Sequence, residues 1–131
     1  LPGDAAAVLT TAAVGAAAPY GQRPYSSEGP TNGPGGAHEG GQPKPDLAAY
    51  DGVNTVSWPG FLGTSASAPH VAGAAAILRS AYPTWSMGQV RAELKARAMD
   101  LGSPGRDTQY GEGRLHLGHP QARIWLPLLW R

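Results

Sequence analysis

Apolar positions change their spacing several times along the chain, and each change predicts an element. Val8-Leu9-Thr10-Thr11-Ala12-Ala13-Val14-Gly15 is a short apolar run rich in β-branched residues and ended by glycine. It suits a strand covered on both faces, as in a parallel sheet. Leu47-Ala48-Ala49-Tyr50 and Val53-Asn54-Thr55-Val56-Ser57-Trp58 flank Asp51-Gly52, which predicts two short extended segments about a tight turn, with Pro59-Gly60 turning the chain again. From Ser67 to Tyr82 small and apolar residues go nearly all the way round, with Pro69 placed for a first helical turn and Pro83 just past the end. Such a helix belongs in the middle of a core. Ser86 followed three residues later by Gln89 is a capping-box pattern; Val90, Leu94 and Ala98 form one stripe and Gly102 stands as a stop, so a second, amphipathic helix follows. Between the strands, residues 29–45 are crowded with Gly and Pro and form a surface loop. Gly111-Glu112-Gly113-Arg114-Leu115-His116-Leu117 alternates briefly, and no internal repeat is present.

Composition narrows the classes. At 131 residues, 41% apolar and 15% charged, the chain has the balance of one globular domain. Its net charge of +1, with Lys and Arg scattered, lacks the footprint of a nucleic-acid binder. Without Cys there is no disulfide framework, thiol nucleophile or cysteine-rich zinc site, while a metal held by oxygen ligands stays open. Leu1-Pro2-Gly3-Asp4 carries no targeting signal, and the expectation is that the chain was cut from something longer. The closing Arg123-Ile124-Trp125-Leu126-Pro127-Leu128-Leu129-Trp130-Arg131 is apolar but far shorter than the roughly 20 residues that span a bilayer.

The candidate chemistry centres on Gly63-Thr64-Ser65, immediately before the small-residue helix. A tight turn there presents the Ser65 hydroxyl at the positive end of the helix. An oxyanion formed when a serine attacks a carbonyl is stabilised by backbone N–H groups at such a terminus, that of Ser65 included. The plain alternative for a serine at a helix start is an N-cap. His70, five residues on, lies roughly 140° round the helix and is badly placed to take the hydroxyl proton. His38 falls in the Gly/Pro loop, where a solvated histidine is expected. Ser65, then Asp100 or Asp107, then His116 or His119 reproduces the Ser-acid-His order of α/β-hydrolases, yet Gly63-Thr64-Ser65-Ala66-Ser67 lacks the second glycine of G-x-S-x-G. Asp4, Asp46, Asp51 and Asp100 have the oxygen ligands calcium takes, but no loop has the ligand density of an EF-hand, and solvated or capping roles are the simpler expectation.

Gly63-Thr64-Ser65-Ala66-Ser67-Ala68-Pro69-His70-Val71-Ala72-Gly73 closely resembles the segment around the nucleophilic serine of the subtilisin-like serine peptidases. Tyr25-Ser26-Ser27-Glu28-Gly29, Lys44-Pro45-Asp46-Leu47-Ala48-Ala49, Tyr82-Pro83 with Gln89-Val90, and Gly111-Glu112-Gly113-Arg114-Leu115 resemble weaker landmarks of that family in the same order. Tyr50-Asp51-Gly52 departs from the Pro-Gly common there, and should alter the turn toward the active-site side.

The resemblance implies an α/β fold, the C-terminal portion of a doubly wound, mostly parallel-sheet domain over residues 1–121, with an apolar tail of unknown role over 122–131. It implies peptide-bond hydrolysis through an acyl-enzyme on Ser65, with Gly63, Thr64, Pro69 and His70 as structural parts of the motif. The family's catalytic Asp and His and its side-chain oxyanion donor belong to a region N-terminal to the part matched. The chain alone is therefore expected to be nearly inactive. By the same resemblance no cofactor is needed for the chemistry, structural calcium is compatible, the location is secreted or extracytoplasmic, and the partners are a polypeptide substrate and the missing N-terminal half. Two rival functions are carried alongside: a catalytically inactive binding or structural module derived from a protease, and the self-contained esterase just described. Half of a parallel sheet is also expected to leave an open edge and an uncovered helix face.

Overall fold

The computed structural model describes residues 3, 5–33 and 40–118. Asp4, His38, His119 and the tail 122–131 lie outside the described residues. The elements run β1 (Thr11–Gly15), β2 (Leu47–Asp51), α1 (Thr64–Ala81) and α2 (Met87–Ala96).

β1 and β2 pair in parallel, from Thr11 opposite Leu47 to Gly15 opposite Asp51. Alternation along β2 shows why its sequence is apolar throughout. Leu47 and Ala49 face a core built with Val71, Ala74 and Leu78 of α1 and Val90 and Leu94 of α2. Ala48 faces the other side, with Ala12, Val14, Leu101 and Tyr110. Both faces are covered, so period-2 patterning disappears, as expected for a parallel sheet. Ala48 also donates its N–H to Gly113 O (2.9 Å) and accepts from Leu115 N (2.7 Å), so residues 113–115 extend the sheet beyond β2. On the other side of β1, Arg23 N–H donates to Ala13 O (3.0 Å) and Gly15 N–H to Gly21 O (3.1 Å). The expected open sheet edge is thus partly closed by the chain's own loop.

Three expectations need correction. Residues 53–58 do not form a second strand about Asp51-Gly52. β2 takes β1 as its partner, and Val53 makes only an isolated bridge with Phe61. α1 begins at Thr64 rather than Ser67, which puts Pro69 inside the helix instead of its first turn. A proline there removes the N–H that would bond the carbonyl of Ser65, four residues back. α2 ends at Ala96, well before Gly102, because Met99 leaves the helix to pair with Arg114 through reciprocal bonds of 2.9 and 2.8 Å.

The N-terminus of α2 follows the sequence closely. Ser86 Oγ accepts from Gln89 N (3.3 Å) and Gln89 Oε1 accepts from Ser86 N (2.8 Å), completing the capping box. Val90 and Leu94 are its buried residues. α1 behaves differently from a helix in the middle of a core. Among the described residues only the stripe of Ala66, Ser67, Val71, Ala74 and Leu78 is buried. Ala72, Gly73 and Ala76 are exposed, and Ile77 keeps 50% of its surface. An apolar face of α1 is therefore uncovered.

Candidate active site

The site is assembled at the C-terminal end of β2, where the chain loops through residues 52–62 and enters α1. Gly63 is the N-cap, at φ 103° and ψ 166°, a conformation that side chains rarely permit. Ser65 is therefore the second residue inside the helix. The N-cap alternative fails on this geometry, since the cap carries no side chain and Ser65 sits two positions past it.

The first turn of α1 leaves donors unused. Gly63 O accepts from Ala66 N (2.8 Å) and Ser67 N (3.4 Å). Among the described residues no acceptor meets the N–H of Thr64 or of Ser65, and the Ser65 hydroxyl has no hydrogen-bond partner. Ser65 is exposed, and it borders a depression of about 340 Å³ walled by Val8, Leu9, Thr10, Thr11, Thr64 and Ala68. Unpartnered N–H groups beside an open hydroxyl, at the positive end of an 18-residue helix, are what a developing oxyanion requires. A second depression, of about 310 Å³, shares Thr64 and is bounded by Tyr25, Ser26, Glu28, Lys44 and Pro45.

Two buried carboxylates stand at the two ends of β2, and Asp51 is the one that reaches this entrance. Asp51 accepts Gly63 N–H (2.9 Å) and Gly52 N–H (2.5 Å) on Oδ1, and the Tyr25 hydroxyl on Oδ2, with Arg23 Nε 3.2 Å from the same oxygen. The hydrogen bond to Asp51, with partial burial and the carboxylate charge, raises the Tyr25 pKa above its ordinary 10.0. Asp46 is met by Lys44 (2.6 Å), Lys95 (2.8 Å), Arg91 (2.9 Å) and Thr10 N–H (2.9 Å). Burial alone would raise its pKa; Lys44, Lys95, Thr10 N–H and Arg91 outweigh that and hold it far below the usual carboxylate range. Asp100 accepts Gly105 N–H (2.8 Å) within its own turn. Among the described residues no group of three His, Cys, Asp or Glu side chains converges as a metal site.

Among the described residues neither histidine hydrogen-bonds Ser65. His70 Nδ1 engages Ala66 O at 2.8 Å and its ring meets Tyr50 edge-on at 5.8 Å. His116 Nδ1 accepts Gly118 N–H at 3.1 Å. The acids proposed for the esterase are occupied too: Asp107 accepts from Ser103, Gln109 and Tyr110. Leu101 and Tyr110, on either side of Asp107 in sequence, pack on the sheet face opposite α1. No esterase triad forms among the described residues. Asp51 was legible as a turn residue and as an oxygen donor of the kind calcium takes, with a solvated or capping role the simpler expectation; it accepts the Gly63 N–H at the head of α1, a capping contact.

An exposed serine thus stands two positions past a left-handed glycine, at the start of a helix packed beside a parallel sheet. The family follows from comparison: the subtilase family model, Peptidase_S8, matches residues 1–113, and the chain belongs to that family. It is 41% identical over 71 residues to the thermostable alkaline protease of Halalkalibacterium halodurans, covering 54% of this chain and 18% of that one. It is 47% identical over 55 residues to the extracellular serine protease of Serratia marcescens (42% and 5%), and 38% identical over 73 residues to subtilisin DY of Bacillus licheniformis (56% and 26%). The crystal structure of a lanthipeptide protease superposes with a TM-score of 0.55 at 27% identity, covering 98% of this chain and 43% of that one. The chain thus spans about a quarter or less of these curated relatives. Among the described residues no helix is long and apolar enough to cross a membrane.

Proposed function

We propose that Ser65 is the nucleophile of a serine endopeptidase whose general base and orienting acid are supplied by a region outside this chain. The observation that carries the reading is the open Ser65 hydroxyl beside its own unpartnered N–H at the start of α1. In the reaction the Ser65 oxygen bonds to the scissile carbonyl carbon as its proton passes to the base. The carbonyl oxygen, now negative, takes hydrogen bonds from the helix terminus. Collapse breaks the C–N bond, the base returns the proton to the leaving amine, and water releases the acyl group by the same steps in reverse.

Polypeptide is the substrate class, and secretion is the location suggested by the relative named an extracellular serine protease. The uncovered face of α1, with Ala72, Gly73, Ala76 and Ile77, is where the remainder of the domain docks in this reading. No observation favours the inactive-module or esterase readings over it.

The test is a fluorophosphonate probe with the complete peptidase domain assembled. Ser65 should be labelled, and Ser65→Ala should abolish both labelling and peptide cleavage. A folded assembly that is not labelled at Ser65 would refute the reading. The chain without the rest of the domain should show only a residual activity, on the order of 10³- to 10⁴-fold over water.

A further inference from the structure

We infer that Asp51 is a positioning residue for the nucleophile, acting through the N-cap of α1; this rests on the peptidase reading of Ser65. Its carboxylate is fully buried at the last position of β2 and gathers three separate segments. Oδ1 takes the Gly63 N–H at 2.9 Å and the Gly52 N–H at 2.5 Å. Oδ2 takes the Tyr25 hydroxyl and pairs with the Arg23 guanidinium 3.2 Å away. Tyr25 and Arg23 hold the carboxylate from the loop after β1, so Oδ1 is aimed at Gly63 by a strut on its other side.

The consequence reaches Ser65 through two peptide planes. Gly63 has φ 103° and ψ 166°, a region open to glycine without steric cost but only one of several that it can occupy, so sterics alone do not fix it. The Asp51 bond fixes the Gly63 N–H, and the Gly63 carbonyl is fixed in turn by Ala66 N–H at 2.8 Å. The plane joining Gly63 to Thr64 carries one of the two unpartnered N–H groups, and the next plane carries that of Ser65. A second tie, Ser67 Oγ to Tyr50 O at 3.2 Å, holds the helix to the same strand end four residues past Gly63. Loss of Asp51 would therefore leave α1 docked while freeing its first peptide planes. Arg23 is 36% exposed in its side chain, although its Nε is buried against Asp51, so part of the cost of Asp51→Ala falls on stability and is read separately as the melting temperature.

The test compares Asp51→Ala, Asp51→Asn and Tyr25→Phe in the assembled peptidase, with kcat expressed per Ser65 titrated by fluorophosphonate. A misplacement near 1 Å costs about 100-fold in rate, so Asp51→Ala should lose kcat on that order with KM unchanged. Asp51→Asn keeps an oxygen acceptor for Gly63 and should recover most of the loss. A purely structural role would lower the melting temperature of both variants and leave kcat per titrated site alone; that result overturns the inference. If Asp51→Ala does not fold, Tyr25→Phe decides: it removes one hydrogen bond to Oδ2, and kcat should fall about 2- to 10-fold at constant KM, an unchanged kcat overturning the claim. A wild-type assembly that is not labelled would sink the peptidase reading instead. Amide hydrogen exchange over residues 61–66 then decides the positioning role by itself, faster exchange in Asp51→Ala, or in Tyr25→Phe where that variant does not fold, supporting it and unchanged exchange overturning it.

Discussion

Replacing Asp46 with alanine separates the partners of this carboxylate by what each can do once it is gone. Arg91 and Lys95 have side chains 29% and 23% exposed and can extend into water, so their pairs at 2.9 and 2.8 Å contribute little, about 0 to 1 kcal/mol each. Lys44 cannot follow them. Its side chain is 6% exposed, and without Asp46 its ammonium keeps the Val8 carbonyl at 2.5 Å as its neighbour. Breaking a buried pair from one side costs about 3–5 kcal/mol because the other charge stays buried. The Thr10 N–H, which donates to Asp46 at 2.9 Å, loses its acceptor as well. A loss of about 4 kcal/mol is expected, a large share of the roughly 5–15 kcal/mol that holds an ordinary domain together. Denaturant unfolding of the assembled domain in a Ser65→Ala background measures it, since that background removes self-cleavage. The double substitution Lys44→Met with Asp46→Leu removes both charges and should be less damaging than Asp46→Ala alone. A cost for Asp46→Ala under about 1 kcal/mol, or a double variant as unstable as the single one, would refute the account.

Acid should unfold the protein through the same group. The folded-state pKa of Asp46 is depressed below its ordinary 3.8, so the stability it contributes is fully present above that value and is lost as pH falls through the folded-state value. Equilibrium unfolding followed from pH 6 down to about pH 2 should show stability falling below about pH 4, and Asp46→Asn should flatten that limb; an unaltered limb in the variant would count against it. Ser86→Ala removes one half of the α2 capping box and should cost about 1 kcal/mol, read as a lowered unfolding midpoint with catalysis per titrated site unaffected.

The elements that were legible in the sequence are those whose causes are local. The α2 start needs only Ser86 and Gln89, three residues apart, and its buried stripe needs only Val90 and Leu94. The small-residue motif around Ser65 is continuous, so Ser65 stood out as the candidate nucleophile before any geometry was known. The misjudged boundaries have distant causes. An Asp-Gly pair favours a hairpin only if the flanking segments pair with each other, and here β2 pairs with β1 across the long loop of residues 16–46. Gly102 is a plausible helix stop, but α2 stops earlier because Met99 is recruited by Arg114. The start of α1 moved for a similar reason: a carboxylate outside the helix, Asp51, receives the Gly63 N–H and lets glycine serve as the cap.

The two carboxylates show most sharply where reading along the chain gives out. Asp46 and Asp51 bracket the same strand, five residues apart, and both were legible as oxygen donors of the kind calcium accepts, with solvated or capping roles the simpler expectation. Each is almost fully buried, and each has its charge answered by cations from elsewhere: Lys44, Arg91 and Lys95 for the first, Arg23 for the second. Three of those four cations lie outside the strand's own neighbourhood in sequence, so no local pattern distinguishes a carboxylate waiting for a metal from one already neutralised. Once the cations are placed, the roles divide. Asp46, facing Lys44 and α2, anchors the β2 start to the second helix. Asp51, with backbone N–H groups on one oxygen and Tyr25 and Arg23 on the other, holds the Gly63 cap in front of Ser65. The departure from Pro-Gly at Tyr50-Asp51-Gly52 is then no defect of the motif, because the side chain it introduces supplies the hydrogen-bond acceptor for the helix cap.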